Sequence, residues 1–90
     1  MSESITQMPF IQPSVAGSVS VRVDRTDWMI QGDWVYIAEI GHYVVSHIPG
    51  PTVVILVNVG NWKSARPGES IPTFSVIQSV QGRGIIPGSI

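Results

Sequence analysis

Between Gly17 and Val80 the chain repeatedly alternates apolar and polar positions with a period of two. Val19, Val21 and Val23 alternate with Ser18, Ser20 and Arg22, which predicts a strand over 17–24 with one face in a core. Asp24-Arg25-Thr26-Asp27 turns the chain, and Asp27 is placed to cap a short turn holding Trp28 and Met29. Gly32-Asp33 is a second turn signal. A second strand is predicted over 34–40, with Val35, Ile37 and Glu39 on one face and Trp34, Tyr36, Ala38 and Ile40 on the other. Gly41 bends the chain into a third strand over 42–48, and Pro49-Gly50-Pro51 ends it. The fourth strand, 52–59, is almost wholly β-branched and is expected to be buried on both faces. A loop from Gly60 to Gly68 leads to a last strand over 71–80, weakened by Pro72.

No stretch holds apolar spacing of 3.6 over three turns, so no helix beyond a single turn is expected. Strands punctuated by turns predict an all-β domain, a small antiparallel barrel or sandwich. Residues 1–16 read as an extended N-terminal arm, because Pro9 and Pro13 forbid a regular helix there. Residues 17–80 are the β module, and 81–90 form a glycine-punctuated C-terminal tail. Met8, Phe10 and Ile11 give the arm an apolar character that a fraying segment does not need. They are read as an anchor on a neighbouring molecule; the competing reading is a strand that covers the domain's own sheet. Ile85 and Ile86 give the tail the same choice between loose and partner-held.

Composition sharpens the expectation of partners. The chain has 90 residues and no cysteine, so it has neither a disulfide nor a Cys-based zinc site to support a small core. Charged residues are 12% of the chain, about half the share in ordinary soluble domains. None lies between Ile40 and Trp62. Apolar surface left in water associates, so part of this surface is expected between subunits. Net charge is −1, and the five basic residues are scattered, which argues against nucleic acid. Gly41, His42, Pro49, Gly50, Pro51 and Asn58 interrupt the charge-free run, which therefore does not read as a membrane span.

Chemistry is sparse. His42 and His47 are five apart, which on a regular strand puts them on opposite faces and prevents joint chelation. Asp24 and Asp27 read as turn and cap residues rather than an acid/base pair. EF-hand spacing, a serine nucleophile motif and a phosphate loop are all missing. Gly82-Arg83-Gly84 is a weak lone motif. The expectation is a protein that is not an enzyme, with no cofactor and no metal. Trp28 and Trp34 read as core or interface anchors, and Trp62 in its Gly-Asn-Trp-Lys loop as a contact for a subunit or a glycan.

The centre of the chain carries an ordered run: Trp28-Met29, Gly32, Val35-Tyr36-Ile37, Gly41 and Tyr43. Val54, Leu56, Asn58 and Gly60 follow, then Ala65, Pro67, Gly68, Ile71 and Pro72. This resembles a β module that recurs in bacteriophage tail-fibre and other virion structural proteins. Ser64-Ala65-Arg66, Trp62 and Lys63 depart from its small-residue loop. The resemblance implies a virion structural protein without catalytic residues. A compact module flanked by an arm and a tail suits a homotrimeric capsid cement or decoration protein bound to a major capsid protein. The alternatives are a tail-fibre, collar or baseplate component, and an adhesin using Trp62. Candidate partner contacts are Met8, Phe10, Ile11, Trp28, Trp62, Ile85 and Ile86.

Overall fold

The computed structural model describes residues 3–38, 40–59 and 65–80, and these form an all-β domain with no helix. The strands are β1 (Glu3–Ile5), β2 (Phe10–Ile11), β3 (Ser18–Arg22), β4 (Trp34–Ile37), β5 (Gly41–Gly50), β6 (Val53–Asn58), β7 (Ser70–Ile71) and β8 (Val76–Ser79). Six of them make one antiparallel sheet in the order β1-β8-β4-β5-β6-β3, and β2 pairs with β7 in a small second sheet.

The large sheet curls until its two edges touch. Thr6 and Val23 form an antiparallel bridge between the chain after β1 and the chain after β3. Gln7 N donates to Arg22 O at 2.8 Å, and Asp24 N donates to Ile5 O at 3.1 Å. The Asp24 side chain accepts from Ile5 N at 2.9 Å, which satisfies another edge donor. Strand twist brings the edges together, and curling lets a single sheet enclose its own core.

The core follows the alternation. Val21, Val23, Val35, Ile37, Tyr43, Val45, Val54, Leu56 and Ile77 point inward and are buried, with Phe10, Met29 and Ile71 closing the cluster. On β6 the fully two-sided burial expected from its β-branched run does not occur. Val54, Leu56 and Asn58 are buried, while Val53, Ile55 and Val57 on the outer face are half-buried. The sheet is a single wall here, so only its concave face meets a core.

The N-terminal segment is part of the barrel, which corrects its reading as an arm on a neighbour. Ser4, Thr6, Phe10 and Gln12 are buried inside this domain, and β1 pairs along β8 from Glu3 to Ile5. Hydrogen bonding explains how polar residues enter. Ser4 Oγ donates to Arg25 O at 2.5 Å, and Thr6 Oγ1 donates to Pro72 O at 3.2 Å while accepting from Ser75 N at 2.9 Å.

The strand expected over 71–80 is split in two. Pro72 has no N–H for a ladder, and Phe74 adopts a left-handed backbone with φ of 68°. Between Ile30 and Asp33, Gly32 at φ of 94° makes the turn that lets its N donate to Val45 O at 2.7 Å. Thr26, rather than Asp27, anchors the preceding turn: its carbonyl accepts from Met29 N at 3.0 Å, and its hydroxyl donates to Gly50 O at 2.9 Å. Asp27 instead forms an exposed ion pair with Arg25 at 3.0 Å, of a kind worth about 0–1 kcal/mol.

Candidate functional site

The outer wall of β4 and β5 carries Trp34, Tyr36 and the two histidines, His42 and His47. In β5 the pairing shifts by one between Val45, opposite Leu56, and His47, opposite Ile55. Ser46 is therefore a bulge residue. The extra residue reverses the alternation, so His42, Val44 and His47 all lie on the outer face. This corrects the expectation that an odd spacing separates the two histidines. No group of three or more metal-ligating side chains occurs among the described residues. His42 stacks on Tyr36, with ring centroids 5.6 Å apart and planes at 25°. Burial lowers its pKa below 6.5, and its Nδ1 is buried with no hydrogen-bond partner. A neutral imidazole against an aromatic ring is the arrangement this favours.

Beneath the wall lies one buried polar contact. Tyr43 Oη donates to Gln12 Oε1 at 2.5 Å, and Gln12 Nε2 donates to Ala65 O at 3.2 Å. The Tyr43 ring meets Phe10 edge-on, with centroids 6.4 Å apart. Burial pushes the Tyr43 hydroxyl from 10.0 up to about 12, with the Gln12 hydrogen bond pulling the other way. The group is a held proton donor, not an acid/base catalyst near neutrality. The unfolded chain ionises near 10 while the folded one keeps its proton, so this stability is present below pH 10 and is lost towards pH 12. Tyr43→Phe leaves Gln12 Oε1 unpaired and is expected to destabilise by about 1–3 kcal/mol near neutrality. It also flattens the alkaline loss; urea melts at neutral and alkaline pH check both effects.

The expected partner contacts separate into three groups. Met8 and Ile11 are 57% and 56% exposed. Phe10, between them in sequence, is 6% exposed and belongs to the core, so it is not a partner contact. Its cross-strand neighbour is Ile71, and the β2 and β7 pair turns it inward. Trp28 is half-buried against the core, and its Nε1 donates to Ser4 Oγ at 2.8 Å, which ties the turn after β3 to β1. That is an internal role. Trp62, Ile85 and Ile86 lie outside the described residues.

Sequence reasoning missed Phe74, the most exposed large apolar side chain among the described residues at 74%. Its backbone is held from several sides. Phe74 N donates to Thr6 O at 2.8 Å, Thr6 N donates to Ser75 O at 2.9 Å, and Ser75 Oγ donates to Pro72 O at 2.7 Å. A left-handed backbone costs an L-residue about 1–2 kcal/mol. Here the buried Thr6 clamp imposes it and aims a phenyl ring at water. Strain that the surroundings enforce is a pointer to function. Val76, 37% exposed, follows two residues later. Segments 6–11 and 70–75 run antiparallel, tied at Thr6 to Phe74 and at Phe10 to Ile71, so Met8, Ile11 and Phe74 lie along one ribbon, which Val76 continues into β8 opposite Ile5. The signal available in the sequence was an apolar residue just after Pro72, inside a stretch, 70–80, that contains no charge.

The arrangement offers apolar contact surface, with no convergent set of titratable groups among the described residues. Comparison with known proteins returned no matching family model, no matching curated protein and no matching solved structure.

Proposed function

We propose that this chain is a non-enzymatic structural protein of a bacteriophage virion, acting as a homotrimeric capsid cement or decoration protein on the major capsid protein. The observation that carries the reading is the set of exposed apolar side chains Met8, Ile11, Phe74 and Val76. Exposed apolar side chains cost solubility and are kept where a partner covers them. Depletion of charge is the compositional mark of an interface centre.

The resemblance adds the virion context. Its residues fall at positions that define this barrel: Met29, Val35, Ile37, Tyr43, Val54, Leu56 and Ile71 are core, and Gly32 is the left-handed turn. A compact head measuring 33 × 28 × 19 Å suits a protein that sits on a shell better than one that forms a shaft. The support no longer includes a reaching N-terminal arm, because that segment is inside the barrel. A cement protein binds the assembled shell and not its free subunits, so mass action favours the assembled state.

Gold-labelled antibody on purified virions tests the reading, with label expected over the head. Label confined to the tail replaces cement with a fibre, collar or baseplate role, and absence from particles removes the virion reading.

A further inference from the structure

Residues 3–12 complete a barrel made by later parts of the chain. Their hydrogen-bond and strand partners outside the segment lie at residues 22–28, 43 and 65–78, all beyond the connection 13–17. Thr6, Phe10 and Gln12 are buried against Val23, Tyr43, Ile71 and Pro72. This seat recognises the segment by a fixed set of donors, acceptors and one aromatic ring. An identical segment from another copy satisfies the same set.

Only the connection depends on which copy supplies the segment. Within it Ala16 takes a left-handed φ of 70°, a conformation that costs an L-residue free energy. Gly17 N donates to Ser14 O and Ala16 N to Asn58 O, both at 2.7 Å, and Asn58 Nδ2 donates to Pro13 O at 2.9 Å. These bonds hold the turn that leads from β2 back to β3. Pro13 keeps Gln12 extended, so opening the turn at Ala16 relieves its strain and carries the segment away from its own barrel.

We infer that residues 3–12 exchange between copies of this chain, each barrel being completed by the N-terminal segment of a neighbour, with Ala16 as the hinge. The inference rests on the homo-oligomer part of the reading above and names the contact that joins the copies. Exchange repeats every contact of the closed barrel, so the hinge and the concentration of chains decide between the two forms. A short connection holds the segment at a roughly millimolar effective concentration. Exchange therefore prevails where copies are crowded side by side, as on an assembled shell. A ring closes when each copy passes its segment to the next.

A disulfide records whose segment sits in each barrel. The chain has no cysteine, and Glu3 stands directly opposite Gln78 across β1 and β8, within disulfide reach. The full chain carrying Glu3→Cys and Gln78→Cys is refolded from denaturant, once dilute and once at roughly millimolar concentration. Both samples are then brought to the same dilution, oxidised at once and run on a denaturing gel without reductant. Single chains are expected from the dilute sample. Covalently linked multiples are expected from the concentrated one, above the background set by the two single-cysteine variants. Ala16→Gly adopts the left-handed turn freely and is expected to lower the ratio of linked to single chains about tenfold. Ala16→Pro can neither take that turn nor donate to Asn58 O, and is expected to raise the ratio. Should the proline variant not melt cooperatively, the parent and the glycine variant decide. Single chains alone at both concentrations would overturn the exchange, and so would linked multiples whose share ignores Ala16→Gly. Linked pairs in place of trios support the exchange and remove the homotrimer, while absence of label from virions removes the virion role alone.

Discussion

A chain lacking residues 1–15 is expected not to fold. The deletion removes β1 and with it the edge that pairs with β8, and it removes β2, the partner of β7. It also removes Thr6, whose bridge to Val23 joins the sheet's edges, and Gln12, the acceptor for Tyr43. Phe10 leaves the core at the same time, a loss of the kind that costs about 3–5 kcal/mol by itself. A domain of this size holds only about 5–15 kcal/mol of net stability, so the combined loss exceeds what is there. Circular dichroism with a urea titration checks this. A truncated chain that keeps a cooperative transition near the parent's midpoint would restore the N-terminal segment to the role of a dispensable arm.

The strands between 17 and 59 were legible because their period of two is carried by valine, isoleucine and tyrosine. Each predicted run there overlaps an observed strand, Ser18–Arg22, Trp34–Ile37, Gly41–Gly50 and Val53–Asn58, although the third continues through Gly41 and Pro49-Gly50, the positions expected to bend and to end it. The N-terminal strands were not legible, for a physical reason. Apart from Phe10, the buried positions of this segment are Ser4, Thr6 and Gln12, polar residues whose burial depends on acceptors and donors at Arg25, Pro72, Ser75, Tyr43 and Ala65. Those partners lie up to 69 positions away along the chain, and no local pattern encodes them. Pro9 and Pro13 then made the segment resemble a tether.

The same limit governed the surface. His42 and His47 reach one face only because Ser46 bulges, and a bulge is decided by how β5 meets β6 rather than by the sequence of β5 alone. Phe74 is exposed because Thr6 clamps its turn. Read locally, it is one more apolar residue of a β-strand.

Within the apolar trio of the N-terminal segment, the structure separates one core residue from two surface ones, and substitution separates them too. Phe10→Ala is expected to destabilise by about 3–5 kcal/mol, since it removes a buried ring packed edge-on against Tyr43 and leaves a cavity that two-residue strands cannot close. Met8→Ala and Ile11→Ala, both at more than half-exposed positions, are expected to change stability by no more than about 0.5 kcal/mol. The asymmetry matters more than any single value, because all three residues look alike to a hydropathy reading. Urea midpoints for the three variants, measured at one low protein concentration, give the comparison. Equal small effects at all three positions would place Phe10 on the surface and undo the role assigned to β2. A large loss at Met8 or Ile11 would mean that these side chains are covered within the folded chain and are not the exposed surface assigned to them.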